Sequence, residues 1–178
     1  MIRSTLERAM AILKDPAYQG QEQFSARIRK LEEVVLPQID SWEFARRCLG
    51  EHWHKINDEQ RREFIRLFTQ LIEKSYGGML DRYPEGVRFS YDQERIEGNF
   101  AEVDTRVFSP DQDKPFSVIY RLHRTGGKWL IYDVVVENVS MVRNYRNQFS
   151  RIINRSSYEE LVQAIERKLE QQDTAPSS

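Results

Sequence analysis

The feature that most restricts the fold is a change of hydrophobic period at "YPEGV", residues 83–87. Before it, apolar residues recur at helical spacing; after it they alternate with polar ones. Helices first and strands second is the pattern of an α+β domain, not of a βαβ repeat. In the helical part Ile2, Leu6, Met10 and Leu13 share one face, and Phe24, Ile28, Leu31 and Val34/Val35 share another. Asp15-Pro16 separates these two helices and Pro37 closes the second. Asp40 is placed to N-cap "SWEFARRCLG", with Gly50 as its stop. Asn57 caps the longest helix, in which Phe64, Phe68, Leu71, Ile72, Tyr76 and Leu80 form a broad apolar stripe.

Past the switch, alternation predicts strands at Val87–Tyr91, Ile96–Phe108, Phe116–Arg124 and Lys128–Val136. "SPDQDKP" and "TGGK" are hairpin loops, so the last three strands form an antiparallel meander. Ala101, Val103, Thr105 and Val107 share one face, against Glu102, Asp104 and Arg106. Phe116, Val118, Tyr120 and Leu122 likewise oppose Arg121 and His123, which makes one sheet face apolar and the other wet. The fourth strand, "WLIYDVVV", is apolar on both faces apart from Asp133. Helices over Val139–Asn154 and Tyr158–Gln171 follow; the second opens with a capping box, Ser157 to Glu160, and buries Leu161, Ile165 and Leu169. Residues 173–178 read as a disordered tail. The expected organisation is a single domain over 1–172, with a helical part (1–83), a sheet (87–137) and C-terminal helices (139–171). A long aromatic helix across the apolar face of a curved antiparallel sheet is how NTF2-like folds enclose a cavity, here with added helices at both ends.

Composition narrows the function classes. The chain has 178 residues, 39% of them hydrophobic, enough for a sizeable core. Basic and acidic residues number 27 and 28, so there is no basic excess of the kind nucleic-acid binders carry. A lone cysteine, Cys48, rules out an internal disulfide and a cysteine-based zinc site. No apolar run approaches the roughly 18 residues of a membrane span. No charged-then-apolar leader opens the chain, which leaves a cytosolic protein or the mature form of an exported one with an added Met1.

Few residues invite chemistry. His52 and His54 of "HWH" diverge on a helix and lack a third ligand, so they and His123 read as surface histidines. Asp133 has two readings. It is the general base of an NTF2-like enzyme for a small apolar substrate, helped by Tyr76, Tyr120 or Tyr132, or it is neutralised by Arg143, Arg146 or backbone N–H groups. There is no Ser-His-Asp order and no glycine-rich phosphate loop. In "SMVRNYRNQFSRIINR", Val142, Tyr145, Phe149, Ile152 and Ile153 fall on one side of a helix. Arg146 borders that stripe, Arg143 is intermediate, and Arg151 and Arg155 point away.

The segment "DVVVENVSMVRNYRNQFSRIINRSSYEELVQAIERKL" resembles the C-terminal signature of the MlaC family, the toluene-tolerance type of periplasmic phospholipid carrier. The matching residues are Asp133, Val134, Val136, Glu137, Val139, Ser140, Asn144, Tyr145, Arg146, Gln148 and Phe149. Upstream, Asp40, Leu49, Gly50, Trp53, Gln60, Phe64, Phe68, Leu71 and Tyr76 match a second stretch of the family pattern. Asn138 stands where the family has glycine, and Asn tolerates a left-handed backbone. The resemblance implies a soluble, monomeric carrier without catalysis, cofactor, metal or stable membrane insertion. It also implies a phospholipid ligand held between sheet and helices in a space of order 1,000 Å³. Its implied partners are an inner-membrane ABC transporter with an MCE-domain component and an outer-membrane lipoprotein complex. The wall is then expected from Phe68, Leu71, Ile72 and Tyr76, from Val103, Val107, Val118, Tyr120, Ile131 and Val135, and from Val139 and Phe149. Arg146, and less centrally Arg143, belong at the rim beside the phosphate.

Overall fold

Two-residue turns organise the sheet. In the computed structural model, residues 1–80 and 86–174 are described, with only the backbone path for Gln21, 76–80 and 173–174. The helices are α1 (Ile2–Lys14), α2 (Phe24–Val35), α3 (Ser41–Leu49), α4 (Asp58–Leu80), α5 (Met141–Arg155) and α6 (Tyr158–Thr174). The strands are β1 (Arg88–Glu97), β2 (Phe100–Phe108), β3 (Phe116–Thr125), β4 (Lys128–Val136) and β5 (Val139–Ser140). They form one antiparallel sheet in the order β1-β2-β3-β4-β5. The chain divides into a sheet unit, Met1–Asp40 with Leu80–Met141, and a helical unit, Ser41–Met79 with Val142 onward.

The predicted elements are present, with three differences in the sheet unit. First, β1 runs on to Glu97 instead of stopping at Tyr91, and β2 starts at Phe100. Gly98 takes φ +58°, the left-handed first position that a two-residue loop between Glu97 and Phe100 uses. The polar run Asp92–Arg95 hides this strand because β1 lies at the sheet edge and its register slips between Tyr91 and Gln93. Second, Val139–Ser140 is a short strand, not the start of a helix. Glu137 (φ +47°) and Asn138 (φ +66°) both turn left-handed to make it, as a type I′ turn requires. The Glu137 N–H donates to the Ser117 carbonyl at 3.0 Å, and the Ser117 N–H donates back to the Glu137 carboxylate.

The third difference decides the faces. Leu122 pairs with Ile131, but Arg121 pairs with Asp133 and Tyr120 with Val134, so one residue of β4 is skipped. Ile131 and Val134 therefore share the apolar face, while Asp133 and Val135 lie on the other. Val135, expected beside Val118 and Tyr120, is turned away from them. On the apolar face α1 packs at two places. Ile2 and Leu6 lie with Ala101, Leu122 and Ile131, and Met10 lies with Val87, Val107 and Val118. The opposite face carries ion pairs, including Arg121–Glu102 at 2.7 Å and Arg95–Asp104 at 3.1 Å.

The helical unit is built around rings. Phe68 has centroid distances of 5.6 Å to Phe44, 5.4 Å to Phe64, 5.0 Å to Tyr145 and 5.2 Å to Phe149. Such stacked and edge-on pairs add about 0.5–1.5 kcal/mol each beyond area burial. Asn57 and Gln60 bond reciprocally at the start of α4, and the Ser157 hydroxyl caps α6 by accepting from Glu160 N–H. Leu161, Ile165 and Leu169 are buried as expected. The expected tail begins inside α6, and its last four residues lie outside the described ones.

Candidate functional site

A side chain that lines a cavity keeps surface that water can reach. By that measure the expected wall divides. Phe68, Leu71, Val107, Val118, Ile131, Val135 and Phe149 are buried in contact with protein, Val107 to 1% exposure. Ile72, Val103 and Tyr120 are half-buried. Val139 stands 57% exposed on β5, and the Tyr76 side chain lies outside the described residues.

The half-buried residues mark a band on the sheet. Val103, Tyr120 and Val134 are cross-strand neighbours on the apolar face. Tyr120 and Val134 touch both packed clusters without being buried by either. The band continues into a groove of about 630 Å³, whose apolar floor is Ile96, Ala101, Val103, Leu122 and Trp129. Met1, Ile2 and Arg3 of the α1 end, with Tyr91, Asp92, Gln93 and Glu94 of β1, make its sides. Spacing along the chain pointed to Val103 but not to the β1 residues, because β1 was expected to break off at Tyr91. The Ile2/Leu6/Met10 stripe was the available signal for α1, without an indication of which surface it meets.

The two arginines expected at the rim both lie on α5. Arg146 Nε donates to the Arg47 carbonyl at 2.7 Å, in the last turn of α3, where carbonyls lack intrahelical partners. Gly50, beside the Arg146 side chain, takes φ +58°, a left-handed conformation that favours glycine. Arg146 thus joins the "LG" and "NYR" parts of the sequence pattern as a helix cap. Arg143 is exposed on α5.

Asp133 is 2% exposed. It accepts from the Ser140 hydroxyl at 2.7 Å and faces Arg121 Nη1 at 3.3 Å. It stands on the sheet face opposite the groove, which removes it from the position a general base would need. Asp133, Glu137 and Ser140 of the signature therefore brace the β4–β5 hairpin. His52 is buried, not superficial, and its Nε2 has no hydrogen-bond partner. His54 is exposed, and His123 is held by Asp40 at 2.9 Å. Among the described residues no cluster of His, Cys, Asp and Glu has metal-ligand geometry, and no helix is long and apolar enough to cross a membrane.

The sheet unit thus combines an open antiparallel sheet, an apolar face partly covered by a helix, and a groove with an apolar floor, within an α+β architecture. Residues 3–167 match the family described as MlaC protein, and the chain belongs to that family. A relative from Haemophilus influenzae, the intermembrane phospholipid transport system binding protein MlaC, is 22% identical over 140 residues. The match covers 77% of this chain and 65% of that relative's length. A phospholipid-binding protein from Ralstonia solanacearum, solved in complex with a phospholipid, has the same fold. The TM-score is 0.84 over 97% of both chains, at 20% identity.

Proposed function

We propose that this protein is a soluble periplasmic carrier that holds phospholipid acyl chains on the apolar face of its sheet and moves lipid between membranes. In this reading it works as a monomer. It exchanges lipid with an inner-membrane ABC transporter carrying an MCE-domain component and with an outer-membrane lipoprotein complex. Family membership supports the reading, and one observation carries it: the half-buried row Val103, Tyr120, Val134 meets a groove with an apolar floor. Val103 and Tyr120 are the wall residues it favours among those expected.

Energetics suit a carrier. Roughly 30 methylenes taken from water at ~0.8 kcal/mol each would exceed the ceiling for non-covalent binding. A lipid drawn from a bilayer has dry chains already, so its transfer is nearly neutral and reversible. The enzymatic alternative needs a reacting group on the groove face, and Asp133 is committed on the other.

The test is native mass spectrometry after incubation with vesicles. Wild type should hold about one phospholipid per chain. Val103→Glu should be empty, because a carboxylate among apolar atoms without a partner costs several kcal/mol. A folded Val103→Glu with full lipid would move the chains off this face. A wild type that takes up no phospholipid would end the carrier reading.

A further inference from the structure

Glu94 breaks the pattern of the apolar face. Its register partner is Val103, so it stands on the same side of the sheet as Val103, Tyr120 and Val134. It is exposed and has no ion pair or hydrogen bond among the described residues. Across the same groove lies Arg3, whose guanidinium sits 4.3 Å from the centroid of the Tyr91 ring and has no carboxylate partner among the described residues. That stacking holds the group over the ring while leaving its N–H donors unspent. The third charge at the rim, Asp92, is already bonded to Arg106 and Ser90. The groove thus presents an apolar floor with the Arg3 guanidinium and the Glu94 carboxylate at its rim, not paired with each other.

Separated opposite charges beside an apolar surface complement an amphiphile that carries both charges in its head. We infer that the groove receives the head-group end of a zwitterionic phospholipid of the phosphoethanolamine type, with Arg3 on the phosphate and Glu94 on the ammonium. This rests on the carrier reading and adds a head-group preference to it. Arg3 offers the two parallel donors that match a phosphate. Glu94 supplies the discrimination. A phosphoglycerol head has the same phosphate and chains but no cation for the carboxylate to meet. Both groups are exposed, so the preference is modest: an exposed ion pair supplies a factor of about three to five.

The experiment uses vesicles with equal amounts of phosphatidylethanolamine and phosphatidylglycerol. The protein is re-isolated after exchange and its lipid quantified by mass spectrometry. Wild type should enrich phosphatidylethanolamine about threefold to fivefold. Glu94→Gln should bring the ratio to that of the vesicle by lowering uptake of phosphatidylethanolamine while leaving that of phosphatidylglycerol, and Glu94→Lys should invert it. Arg3→Gln should lower uptake of both lipids by about the same factor without altering the ratio. Thermal unfolding of each variant checks that these exposed substitutions leave the fold intact. An unchanged ratio in both Glu94 variants overturns the inference. So does a wild type without preference whose lipid is still lost in Val103→Glu, which leaves the carrier reading standing. Wild type that takes up neither lipid overturns both.

Discussion

Phe68 retains 2% of its exposure because rings from α3, α4 and α5 close around it at 5.0–5.6 Å. Val103, Tyr120 and Val134 are as tightly ordered by the sheet, yet each stays half-buried. Both sets are regular apolar rows, one at helical spacing and one across strands. Rings on a helix interdigitate with rings on its neighbours and leave no gap. A row across a sheet is filled only where another element lays a side chain on it. Here α1 does so at Ile2 and Leu6 and again at Met10. A closed core and an open wall thus have the same periodicity and differ in what lies opposite.

Stability measurements can break that contrast. Phe68→Ala should destabilise by about 3–5 kcal/mol in urea unfolding, the usual cost of emptying a large aromatic site in a shut core. Val134→Ala, in the open band, should cost about 1 kcal/mol or less, since little packing is lost. Equal costs would mean that the band is as closed as the ring cluster. On the polar face, Asp133→Ala should cost about 2–3 kcal/mol by removing the acceptor of the buried Ser140 hydroxyl and one of the two carboxylates at Arg121. Its lipid content should not change, and a lipid-free but folded Asp133→Ala would return Asp133 to the binding site.

Smaller effects sharpen the assignment of the helical unit. Arg146→Ala should cost about 1 kcal/mol through the lost bond to the Arg47 carbonyl, with lipid retained. Lipid loss at unchanged stability would put Arg146 back at a head group. Glu43 gives the pH test. The Arg46 guanidinium bonded to it holds its carboxyl down at about 2, with burial opposing and Arg47 assisting. Because the folded value is depressed, this contribution is present above pH 4.5 and fades as pH falls toward 2. Unfolding followed by tryptophan fluorescence should show a shallower acid loss for Glu43→Gln than for wild type over that window. Parallel curves would show the Arg46–Glu43–Arg47 cluster to be without weight.

Much of this was legible in the residues. The helix caps at Asn57 and Ser157, the stripes of α1 and α6 and the faces of β2 and β3 all follow from local chemistry. What escaped were features set by distant partners. Arg146 meets a carbonyl 99 residues away, and no local spacing reports that. Continuous alternation placed Val135 on the wrong face because a bulge adds a residue without marking it. The β1 edge, solvated on much of both faces, lacks the apolar alternation that signals a strand.

The skipped residue in β4 has a consequence for comparing this chain with its relatives. Tyr132 and Asp133 both occupy the interval between Ile131 and Val134. A relative lacking a residue at position 132 could keep Asp133 opposite Arg121 and Val134 opposite Tyr120, while losing the Tyr132 ring contacts with Phe100 and His123. A deletion at Trp129 or Leu122 has no such slack, and everything on one side of it in that strand would exchange faces. The strand therefore has a frame, and position 132 is where a one-residue gap in an alignment belongs.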